Sequence, residues 1–562
     1  MAERPNLYVS SITFNNGASL SLEKNCVLVF VGQNNVGKSQ ALRDIYVHSR
    51  NEFGALVVSK AIFTKSSYAI ISGWLATHLT VHDDRDCRSY LGMTCSFNQY
   101  QVQRAVDRGV LGDIADAFVS RLDTSTRLSI SNPPEAVGRR SAPKHPIHAL
   151  ERDELLHQRV SAYFRKAFGV GLIPFVGYGR TIPLCVGDDP KDVCDETLTG
   201  SQRESRFLKV LDGLPQLQDQ GDGMRSFAGV MLHLTLGFYN MFLIDEPEAF
   251  LHPPQATLLG NVIGELLANE QQAFISTHSM DFIKGLLEKV PNRVKIIRVT
   301  RSGNSNDFSV LDNTRLIQIS KDPFLRYSAL LEGMFYKNVV LCEGDADCMF
   351  YSMLNNADDM NGAKGTGTLF THCGGKQRMP KVIGALKELR VDVKVIPDFD
   401  VLNNEVVLKE LVQVGGGDWS RIEHDYKILI ADIKQRSNIG RTGADVLKEI
   451  EAELADVMGT VVSQTKMRNI RASLEANTEW NRLKKTGING IGAGNPRSAC
   501  ESILKYLSTI GIHVVPCGEL ECFVPTVGGH GSDWLHTVIE QSPDTANTMY
   551  DQAKAFIRSW NL

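Results

Sequence analysis

The chain carries near its start a loop with the spacing of a phosphate-binding turn. The loop follows an apolar run at residues 27–31 and has the form G-x-x-x-x-G-K-S from Gly32 to Ser39. Backbone N–H groups of such a loop surround phosphates at the start of a helix, while the lysine contacts the terminal phosphates and the hydroxyl holds Mg²⁺. The sequence therefore predicts ATP binding by these loop residues: Gly32, Asn34, Asn35, Gly37, Lys38 and Ser39.

A second part of the predicted nucleotide site is an acidic pair at the end of another apolar run. Residues 241–244 read Met-Phe-Leu-Ile and are followed by Asp245 and Glu246. In such a pair the aspartate supports Mg²⁺ through water, and the glutamate polarises the water that attacks the nucleotide. We therefore expect both carboxylates to lie beside the glycine loop.

The residues after this pair resemble a known class of ATPases. Residues 246–253 read Glu-Pro-Glu-Ala-Phe-Leu-His-Pro, similar to the E-P-E-x-x-L-H-P run of ATPases related to ABC transporters, recombination-repair proteins and SMC heads. His278 follows the next predicted strand, and the resemblance implies that it contacts the γ-phosphate.

The same resemblance implies that a glycine- and serine-rich loop of one protomer closes over the ATP of a second protomer. Residues 221–226, Gly-Asp-Gly-Met-Arg-Ser, occupy the corresponding place, which makes Gly221 and Gly223 candidate nucleotide contacts. This segment lacks the Ser-Gly-Gly core of the transporters. Nucleotide binding and dimerisation are therefore firmer expectations than rapid hydrolysis.

A separate set of carboxylates lies in the second half of the chain. Glu343 follows the apolar residues 339–342, and helical spacing returns Asp347 to the side of Glu343. Asp398 and Asp400 alternate after the predicted strand at 393–396, so both can face one side. Such hard oxygen donors favour Mg²⁺ or Mn²⁺. The arrangement resembles the Toprim fold of topoisomerases, primases and related nucleases.

Two later residues can extend this predicted metal site. Lys485 is a candidate for contacting a scissile phosphate, where its charge would stabilise breaking bonds. Glu521 is a candidate ligand for a second metal position, because two ions can clamp the attacking and leaving oxygens. Surface pairing or capping remains the alternative for both residues.

The elements that must position these residues alternate between strands and helices. We expect a boundary near residue 330, with one α/β unit on each side, and a helical insertion at about 50–170. Residues 312–325 read as a connector, and further strands are expected at 175–178 and at 513–515. The function of the insertion is not readable from its residues, although dimerisation is an option.

Composition bounds the class of protein. The 562 residues are 43% hydrophobic and 22% charged, as in ordinary globular proteins, and no apolar run has membrane length. Eleven cysteines without a C-x-x-C pair favour a reducing, cytoplasmic location. The net charge of −4 excludes a uniformly basic nucleic-acid binder, but a local groove such as the basic run at 466–471 would suffice.

Together these motifs resemble the OLD (overcoming lysogenisation defect) family of ATP-dependent endonucleases. The resemblance implies an α/β architecture: an ABC/SMC-like P-loop ATPase domain with a helical insertion at residues 1–330, then a Toprim α/β nuclease domain at 331–562. It further implies metal-dependent DNA cleavage by a dimer or larger homo-oligomer. Gabija-type or retron-associated antiphage defence is the implied setting, with a helicase or a reverse transcriptase and its nucleic acid as partner.

Two other interpretations stay open at this point. One is an SMC-like ATP-dependent clamp or sensor whose Toprim domain no longer cleaves, although such a domain should have lost at least one carboxylate. The other is a topoisomerase or primase. A topoisomerase needs a separate large domain with an attacking tyrosine, for which the chain leaves little room.

Overall fold

The structure is a computed structural model in which the chain divides into two compact units, Met1–Arg326 and Tyr327–Leu562. Within the described ranges, no helix is long and apolar enough to cross a membrane. Most of the predicted connector, half of the basic run at 466–471 and residues 177–178 of a predicted strand lie outside the described residues. The structure describes residues 3–560 except 85–86, 94, 139–140, 142, 177–178, 190–199, 237, 312–313, 315–316, 318–328, 360–366, 438–442, 456–460, 464–465, 468–469 and 471–478.

The first unit has the following strands: β1 (Tyr8–Phe14), β2 (Ser19–Ser21), β3 (Val27–Val31), β4 (Val58–Thr64), β5 (Thr80–Asp84), β6 (Cys87–Leu91), β7 (Ser96–Asn98), β8 (Val119–Leu122), β9 (Gly171–Pro174), β10 (Leu184–Gly187), β11 (Met241–Asp245), β12 (Gln272–Ser276), β13 (Val294–Ser302) and β14 (Ser305–Leu311). Its α-helices are α1 (Lys38–Arg50), α2 (Tyr68–His78), α3 (Gln99–Asp107), α4 (Ala115–Phe118), α5 (Thr124–Ser129), α6 (Pro146–Arg152), α7 (Glu154–Phe168), α8 (Gly200–Asp212), α9 (Asp222–Thr235), α10 (Pro253–Leu266) and α11 (Met280–Lys289).

A six-stranded sheet in the order β14-β13-β3-β12-β11-β8 forms the centre of this unit. β3 runs parallel to β12 and β13, and β11 runs parallel to β12 and β8. Every residue of β3 is buried, as expected for a strand covered on both faces. Because parallel strands end at the same edge, the sheet gathers the segments that follow β3, β11 and β12.

The stretch at about 50–170, predicted to be a helical insertion, contains strands as well as helices. β4 pairs antiparallel with β1, and β8 joins the central sheet beside β11. β5, β6 and β7 form a small antiparallel sheet of their own. Part of this stretch therefore belongs to the sheets of the unit rather than decorating them.

The second unit has three described strands, β15 (Asn338–Cys342), β16 (Thr368–His372) and β17 (Asp392–Ile396). Its described α-helices are α12 (Asp345–Asp359), α13 (Met379–Glu388), α14 (Glu405–Val414), α15 (Glu423–Ser437), α16 (Gly443–Leu454), α17 (Glu479–Thr486), α18 (Asn495–Thr509), α19 (Gly531–Gln541) and α20 (Asp551–Arg558).

The three strands form a parallel sheet in the order β16-β15-β17. Cys342 at the end of β15 lies opposite His372 of β16 and Ile396 of β17, so all three strands end together. Residues 513–515, where a strand was expected, are not a regular strand in the described structure. The chain there still runs beside the end of β17, because the N–H of Val395 donates to the carbonyl oxygen of Gly511 and the N–H of His513 donates to that of Val395. Buried aromatic residues of α12 and α19 pack into one core with β15 and with the buried Ala553 and Ile557 of α20.

Candidate nucleotide and metal sites

The glycine loop connects β3 to α1 in a conformation that requires its glycines. Gly32 and Gly37 have φ angles of +136° and +99°, which residues with a side chain rarely adopt. A Cβ atom at Gly32 would also lie 2.5 Å from the carbonyl oxygen of Val299. Asn34 and Asn35 are exposed in the loop. The first N–H groups of α1 have no helical partner, so they are available to phosphate oxygens.

Lys38 is held inside this loop by backbone carbonyl groups. Its Nζ donates to the carbonyl oxygens of Gly32 at 3.1 Å and Gln33 at 2.8 Å. Burial lowers the pKa of Lys38 to about 8, against the opposing charge of Glu246. Ser39 follows as the second residue of α1 and is half-buried. An ammonium group held this way can exchange carbonyl oxygens for phosphate oxygens.

The acidic pair and the histidine meet at the same sheet edge. Asp245 ends β11 opposite Ser276 of β12, whose hydroxyl donates to Oδ1 of Asp245. Nε2 of His278 lies 3.5 Å from Oε1 of Glu246. Burial, and then the charge of Lys38, lower the pKa of His278 to about 4, so its imidazole is neutral at pH 7. The residues predicted to bind the nucleotide, which follow β3, β11 and β12, are thus neighbours.

Glu248 positions this histidine. The sequence motif contains Glu248, but the sequence alone assigned no role to it. Its Oε1 accepts a hydrogen bond from Oγ1 of Thr277 at 2.7 Å and from the N–H of His278 at 2.9 Å. Burial raises the pKa of the Glu248 carboxyl, which these donors oppose. The carboxylate therefore fixes the backbone from which His278 projects.

The glycine-containing segment at 221–226 lies at the start of α9. Gly221 precedes the first residue of this helix, and Gly223 lies in its first turn. A Cβ atom at Gly223 would lie 2.7 Å from the carbonyl oxygen of Phe250, in the chain that follows the acidic pair. The segment thus packs closely on that chain. Its contact with the ATP of a second protomer stays a prediction.

A buried arginine, which no motif marked, joins α9 to the acidic pair. Nε of Arg127 donates to Oγ of Ser226 at 2.9 Å, and its Nη2 donates to the carbonyl oxygen of Glu246 at 2.9 Å. Its Nη1 donates to the carbonyl oxygen of Asp245. The arginine therefore ties the helix of the glycine segment to the backbone of both acidic residues.

In the second unit, three of the predicted carboxylates converge where β15 and β17 end. One ligand oxygen from each of Glu343, Asp398 and Asp400 lies within 4.8 Å of the other two. Oε1 of Glu343 accepts a hydrogen bond of 3.1 Å from the N–H of Asp398. Oδ1 of Asp400 is buried without an aligned hydrogen bond, although Nζ of Lys376 lies 2.8 Å from it.

The fourth predicted carboxylate, Asp347, lies beside this group without joining it. Its Oδ2 accepts a hydrogen bond of 2.8 Å from the N–H of Gly344. Burial, followed by the charges of Glu343 and Glu521, raises the pKa of Asp347 to about 6 despite that hydrogen bond. Asp347 thus interacts electrostatically with carboxylates on both sides.

This donor set fits a divalent cation. Burial and the charge of Asp400 raise the pKa of Glu343, and burial and the charge of Glu343 raise that of Asp398. Crowded carboxylates of this kind are relieved by a bound cation. The oxygens are ligands that Mg²⁺ and Mn²⁺ prefer, and the buried Oδ1 of Asp400 has an ion pair with Lys376 but no aligned hydrogen bond.

The lysine beside these carboxylates is Lys484 rather than the predicted Lys485. Nζ of Lys484 lies 3.8 Å from Oδ2 of Asp398 and 3.5 Å from Oε2 of Glu519. Burial lowers the pKa of Lys484, but the carboxylates, led by Asp398, outweigh it and raise the pKa overall. Lys485 is exposed on the same helix, α17, because successive helical residues point in different directions. Of these two lysines, Lys484 is therefore the one that lies beside the carboxylates.

Glu521 belongs to a second group of possible ligands. One atom from each of Glu519, Glu521 and His530 lies within 4.8 Å of the other two. Oε1 of Glu521 lies 2.6 Å from Nδ1 of His530 and accepts a 2.7 Å hydrogen bond from the N–H of Gly531. The role of Glu521 at a second metal position stays a prediction.

Comparisons with known proteins identify two domains in this order. Residues 191–283 match the AAA ATPase domain family, and residues 334–400 match the TOPRIM domain of overcoming lysogenization defect-like proteins. The first match includes Asp245, Glu246 and His278. The second includes all four carboxylates predicted first, but neither Lys484 nor Glu521. No curated protein matches the chain.

Among solved structures, SMC head domains match the chain at low identity and low TM-score. An SMC head bound to the C-winged helix domain of ScpA is 12% identical, with a TM-score of 0.35 over 56% of this chain and 100% of that one. The SMC head domain from Thermotoga maritima is 12% identical, with a TM-score of 0.27 over 56% and 100% of the two chains. An SMC head with an extended coiled coil, bound to a ScpA domain from Pyrococcus furiosus, is 10% identical, with a TM-score of 0.31 over 56% and 98%.

The two domain matches carry the assignment of the chain. An ATPase domain implies ATP binding, and a Toprim domain of this type is nuclease-like, so the pair is that of an ATP-dependent nuclease. The order of the matches along the chain is the order of the two sets of site residues. The chain therefore joins an ATPase domain to a Toprim domain similar to that of overcoming lysogenization defect-like proteins.

Proposed function

We propose that the chain is an ATP-regulated, divalent-metal-dependent DNA endonuclease that nicks or cuts both strands. The observation that carries this proposal is the convergence of Glu343, Asp398 and Asp400 within 4.8 Å, in a chain that also has an ATPase domain. We further propose that the ATPase domain spans residues 1–330 and the nuclease domain 331–562, close to the two compact units.

The proposed metal chemistry assigns a role to each residue of the Toprim site. Glu343, Asp398 and Asp400 would hold Mg²⁺ or Mn²⁺, with Asp347 beside them and Glu521 at a second position. A bound divalent ion supplies charge that stabilises the phosphodiester transition state and favours deprotonated water.

Lys484 takes the role first predicted for Lys485. Its Nζ lies within 3.8 Å of Asp398, so it is placed to neutralise charge that develops on a scissile phosphate. At the other site, Lys38 and Ser39 would bind ATP and its Mg²⁺, while Glu246 would orient the attacking water. The neutral His278 would contact the γ-phosphate.

The proposed partners follow from the two domains. DNA is the substrate, and a homodimer or larger homo-oligomer would bring the segment at Gly221 and Gly223 to the ATP of a second copy. The similarity of the Toprim domain to overcoming lysogenization defect-like proteins supports a cytoplasmic antiphage effector, acting with a helicase or a retron reverse transcriptase and its nucleic acid. An SMC-like clamp with an inactive Toprim domain is the alternative, which the complete carboxylate set disfavours.

The first test is cleavage of plasmid and linear DNA by the full chain with Mg²⁺ or Mn²⁺, with and without ATP. We expect metal-dependent nicks or breaks. DNA binding that responds to ATP without any cleavage would instead support the clamp.

Coupling between the domains is tested by titrating a non-hydrolysable ATP analogue into the cleavage reaction. Nucleotide occupancy should change the cleavage rate of the wild type, because ATPase heads of this class close as pairs and the Toprim domain is part of the same chain. A flat response would contradict regulation by ATP. A response unchanged in Lys38→Ala would indicate chelation of metal by the analogue.

A further inference from the structure

A lysine outside the predicted site faces its carboxylates from the third strand of the sheet. Gly374 and Gly375, with φ angles of +67° and +117°, turn the chain back after β16. Sγ of Cys373 donates to the carbonyl oxygen of Gly375 at 3.3 Å, which holds the turn. Nζ of Lys376 then lies 2.8 Å from Oδ1 of Asp400 and donates to the carbonyl oxygen of Asp400 at 3.3 Å.

The sheet topology brings these charged residues to the same edge of the sheet. β15 supplies Glu343, β17 supplies Asp398 and Asp400, and β16 supplies Lys376, all from ends that lie side by side. The charge of Lys376 also reaches Glu343, whose pKa it lowers against burial. The lysine therefore offsets part of the repulsion within the carboxylate group.

A divalent cation and Lys376 would compete for the same oxygen. The side chains of Lys376 and Asp400 are 23% and 24% exposed, so ions from solvent can approach the pair, although Oδ1 of Asp400 is itself buried. Oδ1 of Asp400 has no aligned hydrogen bond, which leaves it free to change partner. Once displaced from Asp400, the ammonium group of Lys376 would stay near the metal on its flexible four-carbon side chain. Its N–H groups could then donate hydrogen bonds to another anion.

We propose that Lys376 is an exchangeable counter-charge of the metal site. It pairs with Asp400 in the metal-free protein, gives up this carboxylate to the divalent cation, and then contacts a phosphate of the bound DNA. The proposal rests on the proposed function, because it assumes that the three carboxylates bind metal and that DNA is the substrate.

Two measurements on the full chain without nucleotide separate this role from a structural one. Lys376→Gln removes the charge and keeps most of the length, so Mn²⁺ should bind roughly two- to fivefold more tightly than to the wild type, as expected for loss of a partly exposed ion pair. DNA cleavage by the same variant should fall about tenfold or more, because a cation near the phosphate is lost. Tighter metal binding with slower cleavage is a combination that a damaged fold would not produce.

Lys381→Gln is the matched control, since Lys381 is exposed on α13 and its loss changes the net charge equally. It should leave Mn²⁺ affinity and cleavage as in the wild type. Equal or weaker Mn²⁺ binding by Lys376→Gln would overturn the proposal for the lysine. Equal Mn²⁺ binding by the wild type and Asp400→Ala would instead overturn the metal site, and with it the proposed function.

A labelling experiment on the wild type tests the exchange without any substitution at Lys376. An amine-reactive reagent, followed by mass spectrometry, should modify Lys376 several times faster once Mn²⁺ has bound, because its ammonium group is released from Asp400. Labelling of Lys381 should not change. A rate at Lys376 that is unaffected or reduced by Mn²⁺ would contradict the displacement step.

Discussion

The nucleotide site and the Toprim site hold their charged groups in opposite ways. At the nucleotide site, Lys38 is bound by loop carbonyls, and Glu248 accepts hydrogen bonds from Thr277 and His278. At the Toprim site, carboxylates face one another, and the pKa values of Glu343 and Asp398 are raised. At the nucleotide site, backbone groups form hydrogen bonds with the charged side chains. At the Toprim site, partly buried carboxylates of like charge repel one another.

This difference indicates what controls each site. The glycine loop has a backbone conformation that needs glycine at Gly32 and Gly37, and its carbonyl groups hold Lys38. The carboxylate group depends on cations or protons to relieve its repulsion, and Lys376 and Lys484 supply part of that charge. In the absence of nucleotide, metal ions and pH should therefore affect the Toprim site more strongly than the nucleotide site.

The largest effect should come from removing a carboxylate of the converged group. Asp400→Ala should reduce DNA cleavage by about a thousandfold or more, because metal-supplied charge stabilisation is lost. ATP binding, measured by titration calorimetry, should not change. Asp392→Ala, at the exposed start of β17, is the control. Full cleavage by purified Asp400→Ala would refute the assignment of this site.

Substitutions of Lys38 and Glu246 at the nucleotide site should affect ATP binding and ATP hydrolysis differently. Lys38→Ala should weaken ATP binding by roughly ten- to a hundredfold, because charge-assisted hydrogen bonds to the phosphates disappear. Glu246→Gln should retain ATP and slow its hydrolysis by about a hundredfold, since the glutamate acts on the attacking water. Binding and phosphate release are measured for both. Equal ATP affinity in Lys38→Ala and the wild type would refute this reading of the loop.

The pH dependence should distinguish the two sites further. The carboxyl of Asp347, with a pKa raised to about 6, is protonated below that pH and charged above it. Metal ions compete with protons, so Mn²⁺ affinity should rise by up to about tenfold from pH 5.5 to pH 7.5. ATP affinity without metal should vary less from pH 5.5 to pH 7. Mn²⁺ affinity that falls with rising pH would contradict the carboxylate site.

The smallest expected effect is on stability. The pKa of Asp398 is raised in the folded protein, so its stability contribution is present at low pH and is lost as pH rises and the carboxyl ionises. Asp398→Asn should therefore raise the Tm of the metal-free protein at pH 7 by about 1–3 °C, while cleavage is lost. Mn²⁺ should stabilise the wild type more than this variant. A lower Tm for Asp398→Asn would show that its carboxylate is not under repulsion.

Residues that are close along the chain were predictable from the sequence. The glycine loop, the pair Asp245 and Glu246, and the carboxylates Glu343, Asp398 and Asp400 each directly follow an apolar strand. Residues that follow a strand lie at its carboxyl end, and parallel strands bring their carboxyl ends to one edge of the sheet. The α/β class and the order of the two domains follow from these same patterns, and the comparisons support both.

The tertiary structure alone decided which distant residues meet at these edges. The order β16-β15-β17 brings Lys376 to Asp400, and the rotation of α17 selects Lys484 over Lys485. Arg127 meets the acidic pair through contacts between segments more than a hundred residues apart, which no local pattern encodes. Spacing along a chain determines which side chains share a strand or a helix face, but sheet order and helix packing determine what those faces meet.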